Sequence, residues 1–166
     1  MKLSANEEYG IRCLLHIARQ GEGGSVTIPE ISRAEGISTA YVGKLMRILR
    51  RGGLVASSRG KAGGYTLARV PENVVVGEAL AVLGGRIFEV GFCERHSGDE
   101  KICTHTIDCS VRSLWRAVQS AVDQVLSKMT LRDLLSNEKE TNSWVGGLVS
   151  VSDNRSNYQP GVSYEV

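Results

Sequence analysis

The chain has 166 residues, of which 42% are hydrophobic, and a formal net charge of +2. This length fits one compact domain with appendages or two small domains, and the hydrophobic fraction excludes a chain that is disordered throughout. No apolar run approaches the roughly 18 residues of a membrane span, and the start, MKLSANEEYG, lacks the features of a signal peptide, so we expect a cytoplasmic protein without a membrane partner.

The charges are distributed unevenly along the chain. Residues 1–70 hold 11 Lys and Arg against 5 acids, whereas the remaining residues hold 9 against 13. Between Gly36 and Pro71 there are seven basic residues and no acid. Such a stretch favours a surface that binds the phosphate backbone of a nucleic acid over an ordinary solvated face.

Helix-capping residues predict three helices in the first 51 residues. The caps are Ser4 with Glu7, Thr27 with Glu30, and Ser38. They predict helices over residues 5–19 and 39–51, and between these a short helix that carries Ile31 and stops at Gly36. The third helix has an apolar stripe that we expect to be buried, formed by Val42, Leu45, Met46 and Leu49.

The second and third helices are joined by the tight turn AEGIS, which is typical of a helix-turn-helix. In that motif the second helix of the pair enters the major groove of DNA. The outward face of this helix carries Ala40, Gly43, Lys44, Arg47 and Arg51. We therefore expect the third helix to contact DNA, with Arg47 among the contacting residues.

The segments LVASS and YTLAR alternate like the strands of a hairpin around the loop RGKAGG, which carries Lys61. The loop glycines allow a close approach to DNA, and the spacing of a phosphate-binding P-loop is absent. The prediction is a mainly α fold with a small β-wing, a winged helix-turn-helix, in residues 1–72. A three-helix domain with an ordinary hairpin and no nucleic-acid role is the alternative.

In residues 73–136 we expect a cluster-binding loop followed by a long dimerisation helix. Apolar residues recur in this helix with heptad spacing at Val111, Trp115, Val118, Val122, Val125 and Met129. This row of apolar residues, the heptad seam, can pack within its own domain or pair with the same helix of a second copy. Helix-turn-helix proteins bind two half-sites as symmetric dimers, which favours a homodimer on an operator in double-stranded DNA. The polar composition of residues 137–166 predicts a disordered tail.

Three cysteines, Cys93, Cys103 and Cys109, have C-x9-C-x5-C spacing. Thiolates are the ligands that iron-sulfur clusters and zinc select, and these gaps are wider than in structural zinc sites. The spacing favours an iron-sulfur cluster, either 2Fe-2S or 4Fe-4S, while a zinc site or a thiol redox switch remains an alternative. An enzyme using Cys103 or Cys109 with His105 as base is disfavoured because no oxyanion element is recognisable, so we expect no catalytic residue. We expect Cys13 to be a buried hydrophobic residue.

Several segments together resemble the Rrf-type winged-helix transcription regulators, the IscR/NsrR/RirA-like family. They are MKLS and EYG near the start, the run GIS..Y..KLM..LR..GLV.S.RG..GGY.L, VGE at 76–78, and the three loop cysteines. The resemblance covers about residues 1–136. It implies a homodimeric repressor or activator whose cluster senses iron-sulfur status, iron, redox state or nitric oxide.

The resemblance also implies roles for individual residues in DNA binding. The base-reading positions fall on Ser38, Ala40, Tyr41 and Lys44, and the minor-groove arginine of the wing falls on Arg59. Ala40 and Lys44 depart from the residues of IscR-like members, so the operator sequence of those members is not transferred.

The resemblance implies that Cys93, Cys103 and Cys109 are cluster ligands, but it leaves the fourth ligand open. The position of the ligating histidine in IscR-like members is Arg112 here, and a guanidinium cannot coordinate a metal. In NsrR-like members an acidic residue near the start of the first helix reaches the cluster of the opposite subunit. That position is Glu8, and two histidines, His96 and His105, are the reserve candidates.

Overall fold

A computed structural model describes residues 4–21, 23–58, 60, 63–86, 88, 91–95, 103, 105 and 107–150. Contacts divide the chain into two compact units, Met1–Leu135 and Ser136–Val166. The elements of the first unit are α1 (Ala5–Ala18), α2 (Ile28–Glu35), α3 (Thr39–Arg51), β1 (Val55–Ser58), β2 (Gly64–Leu67), α4 (Val76–Gly84), α5 (Phe92–Arg95) and α6 (Ser110–Leu126), with 3-10 turns at Pro71–Asn73 and Asp133–Leu135. Within the described residues, no helix is long and apolar enough to cross a membrane.

The helix starts follow the capping residues that the sequence indicates. Thr27 Oγ1 accepts a hydrogen bond from the Glu30 amide (3.4 Å), and the Glu30 carboxylate accepts one from the Thr27 amide (2.7 Å). The hydrogen bonds from Thr27 lower the pKa of Glu30 below its ordinary value. The Gly36 residue ends α2 in the left-handed conformation at φ 68°, which a glycine adopts without steric cost. Ser38 Oγ accepts from the Tyr41 amide at 3.3 Å.

The core of the first unit lies between α1, α2 and α3. The predicted stripe of α3 is fully buried, so that prediction is confirmed: Val42, Leu45, Met46 and Leu49. These side chains pack with Cys13, Leu14, Ile17 and Ile31 from α1 and α2, and with Ala79 and Leu83 from α4. The burial fixes the rotation of α3, so its opposite face is presented to solvent.

An ion pair joins α1 to the end of α2. Arg12 Nε donates to the Glu35 carboxylate at 2.9 Å, and Arg12 Nη2 donates to the Glu35 carbonyl oxygen at 2.9 Å. The Glu35 side chain is largely buried, so this paired contact holds the helix-turn-helix against α1.

The hairpin forms as predicted, and it is anchored to the loop before α2. Strands β1 and β2 are antiparallel, with Val55 opposite Leu67. Val26 exchanges two backbone hydrogen bonds with Tyr65, at 2.8 and 3.0 Å. A Cβ on Gly64 would collide with the Val26 backbone, so this glycine permits the close approach.

Residues on both sides of the predicted boundary at residue 72 belong to one compact unit. The reason is that Ala79 and Leu83 of α4 pack in the same core as side chains of α1, α2 and α3. A backbone bridge also joins the segments before α4 and after α6. The Val76 amide donates to the Met129 carbonyl and the Leu131 amide donates to the Val74 carbonyl, both at 2.8 Å. Met129 therefore lies beyond the end of α6 and is buried, which corrects its predicted place on the heptad seam.

The second unit contains a helix where the sequence predicted a disordered tail. Helix α7 (Glu138–Ser150) follows Asn137, whose Oδ1 accepts a hydrogen bond from the Glu140 amide at 3.0 Å. Asparagine is a typical N-cap residue, but the polar composition of this segment favours disorder and hides the helix start. Residues 151–166, which belong to the same predicted tail, lie outside the described residues.

Candidate nucleic-acid interface and metal site

Helix α3 presents a polar and basic face to solvent. The exposed residues on this face and at its N-terminal cap are Ser38, Ala40, Lys44, Arg47 and Arg51. The described residues between Gly36 and Pro71 include no acid. A helix with this charge and exposure can lie in the major groove and contact phosphates on either side.

Tyr41, a predicted base-reading residue, is half-buried and held by α1. Its hydroxyl donates to Asn6 Oδ1 at 2.8 Å, and its ring meets the Tyr9 ring edge to face at 6.0 Å. Lys44 Nζ donates to the same Asn6 oxygen at 3.4 Å and lies 5.5 Å from the centre of the Tyr41 ring. Asn6 belongs to no recognisable motif in the sequence. Its spacing of three residues from Tyr9 puts both on one face of α1, and this is the signal that could have located it.

The two predicted DNA contacts of the wing, Arg59 and Lys61, lie outside the described residues. The flanking Gly60 has φ 113° and its carbonyl accepts from the Gly63 amide at 2.9 Å, as expected for a glycine-dependent turn. Arg50 Nη1 donates to Ser57 Oγ at 3.3 Å, which ties the end of α3 to β1. The wing and α3 are therefore positioned together.

The three loop cysteines are half-buried, and none forms a disulfide. Cys109 is the N-cap of α6, and its Sγ accepts a hydrogen bond from the Arg112 amide at 3.3 Å. This contact fixes the position of the Cys109 sulfur at the start of α6. Among the described residues, no three His, Cys, Asp or Glu side chains form a ready metal-binding group.

The other candidate ligands are placed only in part. Glu8 is exposed on the first turn of α1, and His105 is exposed in the loop. His96 lies outside the described residues. The roles of Cys93, Cys103, Cys109 and Glu8 as ligands stay predictions.

A cavity of about 700 Å³ lies beside Cys93. Three arginines line it, Arg86, Arg112 and Arg116. An iron-sulfur cluster bound by thiolates is anionic, and nearby positive charge offsets the cost of holding it. Cys93 is the loop cysteine in this lining, which also contains one acid, Glu94, so one thiol donor and a net positive lining are compatible with such a group.

Gln119 ties the start of the cysteine loop to α6. It is 7% exposed, and its Oε1 accepts from the Phe88 amide at 3.0 Å while its Nε2 donates to Asp123 at 2.9 Å. Asp123 also pairs with Arg86. The contact between Phe88 and Gln119 has no local signal in the sequence, because the two residues are 31 positions apart and a glutamine among apolar residues matches no motif.

Comparisons with known proteins show which chains this one is similar to. The profile of a family described as Rrf2, iron-dependent transcriptional regulator, matches residues 3–137. The chain is 35% identical over 135 residues to protein rrf2 of Nitratidesulfovibrio vulgaris, which covers 81% of this chain and 87% of that protein.

Two solved structures are similar across most of the chain. IscR of T. potens has a TM-score of 0.65 at 32% identity, covering 81% of this chain and 86% of that one. CymR of B. subtilis, described as the global cysteine regulator, has a TM-score of 0.64 at 30% identity, covering 81% of this chain and 96% of that one.

Proposed function

Because this chain belongs to the Rrf2 family of transcriptional regulators, we propose that it binds its operator as a homodimer under the control of an iron-sulfur cluster. Cys93, Cys103 and Cys109 would hold the cluster, which supplies a group sensitive to redox state, iron supply or nitric oxide. The observation that carries the proposal is Cys109, because this thiol caps α6, the helix that we propose as the dimer interface. We assign no catalytic residue.

The proposed dimer interface is the exposed apolar face at the start of α6. Val111 is 57% exposed, Leu114 55% and Trp115 37%. Burying such side chains against a second copy removes apolar surface from water, and heptad spacing suits a two-fold pair of helices. Two α3 helices related by this symmetry would contact two operator half-sites.

The proposed DNA contacts follow from the exposure of α3. Ser38, Ala40, Tyr41 and Lys44 are proposed to lie against base edges in the major groove, and Arg47 against phosphate. The wing residues Arg59 and Lys61 are proposed to contact the minor groove and the backbone. Their positions in the chain, between β1 and β2, support this assignment.

The test of this function is a set of spectra and binding curves from anaerobically purified protein. We expect visible absorption with iron and acid-labile sulfide, and operator affinity that changes when the iron is chelated. Cys103→Ser should lose most of the absorption. Cys13→Ser is the matched control and should keep it, because Cys13 is buried in the core. Native absorption in Cys103→Ser would contradict the cysteine assignment.

A second candidate is a regulator that uses zinc or thiol oxidation in place of an iron-sulfur cluster. The similarity to CymR favours it, together with three half-buried thiols that form no disulfide. Colourless protein with stoichiometric zinc would support a zinc site. Colourless, metal-free protein whose operator affinity changes when two of these thiols form a disulfide would support the thiol switch.

A further inference from the structure

Asn6, in the first turn of α1, contacts the side of α3 that we propose to face DNA. Asn6 is half-buried, and its Oδ1 accepts hydrogen bonds from Tyr41 Oη at 2.8 Å and from Lys44 Nζ at 3.4 Å. Tyr41 is itself fixed by edge-to-face contact with Tyr9. Asn6 therefore bridges a rigid aromatic pair and an exposed lysine.

This bridge restricts the lysine in a way that matters for base recognition. A lysine has a flexible four-carbon stem, and the loss of its conformational freedom at an interface opposes binding. Here the Lys44 ammonium is held by the Asn6 oxygen and lies 5.5 Å from the centre of the Tyr41 ring. The Asn6 oxygen accepts one N–H of the Lys44 ammonium, which leaves the remaining N–H donors for a guanine edge.

We infer that Asn6 is a positioning residue that sets the base preference of Lys44. The inference rests on the proposed function, in which Lys44 contacts a base. Asn6 orients the ammonium before DNA binds, so that one base pair of the half-site is favoured over the other three. Without the amide oxygen, the lysine samples several directions and contacts neighbouring acceptors as well.

The test measures base preference with the full-length protein. Operators are selected from a randomised pool of double-stranded DNA, and affinities are then titrated for all four base pairs at each half-site position. A good base contact corresponds to a preference of about 5- to 150-fold. We expect Asn6→Ala to reduce the preference to less than about threefold at the position that Lys44→Ala also relaxes, and to leave unchanged the positions that neither Lys44 nor Tyr41 contacts.

Two further variants separate positioning from a general structural effect. Asn6→Asp keeps the acceptor oxygen, so we expect it to keep the base preference while its negative charge lowers affinity at every sequence. In a Lys44→Ala background, Asn6→Ala should cause no further change in preference at the position that Lys44 contacts. The thermal midpoint of Asn6→Ala is measured in parallel, and it should fall only slightly, because alanine suits a first helical turn while the half-buried Tyr41 hydroxyl loses its acceptor.

Several results would overturn the inference. They are an unchanged preference in Asn6→Ala, an equal loss at all positions, loss of preference in Asn6→Asp, or an added effect of Asn6→Ala at the Lys44 position in the Lys44→Ala background. If Lys44→Ala itself leaves the preference unchanged, the base-reading role of Lys44 fails and the inference fails with it, while operator binding by α3 stands. Absence of any selected operator would instead reject the proposed function.

Discussion

At the scale of single residues, the four cysteines differ in chemistry because their surroundings differ. Cys13 is fully buried among apolar side chains, whereas Cys93, Cys103 and Cys109 are half-buried. Burial raises the pKa of the Cys13 thiol to about 12, with a smaller contribution from the Glu35 carboxylate that Arg12 partly opposes. Cys13 therefore stays a neutral thiol that packs in the core.

This difference predicts selective alkylation of the metal-free protein. At pH 8 we expect iodoacetamide to modify Cys93, Cys103 and Cys109, and to modify Cys13 only after unfolding, because the thiolate is the nucleophile. The raised pKa also means that stability from a neutral Cys13 is present below the ordinary thiol pKa and decreases as pH rises above it. Peptide mass spectrometry after timed labelling checks the order, and early labelling of Cys13 would contradict it.

At the scale of elements, local signals determined α1, α2 and α3, since caps and apolar stripes act within a few residues. The sequence did not reveal the Val26–Tyr65 bridge that anchors the wing, because its partners are 39 residues apart in the chain. The burial of Met129 depends in the same way on a distant backbone bridge to the start of α4. Contacts of this kind depend on tertiary packing and have no local pattern.

Two helical glycines form a matched pair for testing packing at this scale. A Cβ on Gly43 in α3 would meet only Ile28 Cδ1 at 3.8 Å, an ordinary contact, whereas a Cβ on Gly10 in α1 would collide with Leu83. We expect Gly43→Ala to stabilise the protein by about 1 kcal/mol through helix propensity. Gly10→Ala should destabilise it by about 1–2 kcal/mol, because overpacking against buried Leu83 exceeds the same gain. Urea unfolding measures both, and equal effects would contradict the packing.

At the scale of the whole molecule, α4 lies between the proposed dimer helix and α1. Gly77 packs against Leu126 at the end of α6, while Leu83 packs against Gly10 and Gly84 against Glu7 on α1. These contacts join α6 through α4 to the helix whose Asn6 contacts Lys44. The features at the two ends of this series of contacts, the cysteines and the basic face of α3, are recognisable in the sequence. The contacts between them could not be predicted, because each joins residues far apart in the chain.

The assembly itself yields a prediction about oligomeric state. We expect the protein to sediment at twice its 18.0 kDa mass, and Leu114→Asp to sediment as a monomer at micromolar concentration, because a charge on the α6 face cannot be buried without a partner. Val70→Asp is the control, since Val70 is a 46% exposed residue outside α6. A dimeric Leu114→Asp, or a monomeric Val70→Asp, would place the interface elsewhere.

The last prediction concerns the fourth ligand, which we propose to be Glu8 of the opposite subunit. The Glu7 carboxylate is already bonded to the Ser4 amide at 2.7 Å, while Glu8 is exposed on the same turn. A hard carboxylate is a weaker partner for iron than a thiolate. Glu8→Ala should therefore still bind a cluster but show an altered spectrum and faster loss in air. Glu7→Ala is the control and should keep the native spectrum.

A mixed dimer tests whether this ligand crosses between subunits. Co-expressed, differently tagged Glu8→Ala and Cys103→Ser chains form a heterodimer in which one set of three cysteines faces the intact Glu8 of the other chain. If the ligand crosses, this heterodimer carries one cluster with the native spectrum and native stability in air. If the ligand is local, its remaining cluster behaves like that of Glu8→Ala. Native behaviour of Glu8→Ala together with an altered spectrum in His105→Ala would instead place the ligand within the loop, because the imidazole would then be the residue bound to iron.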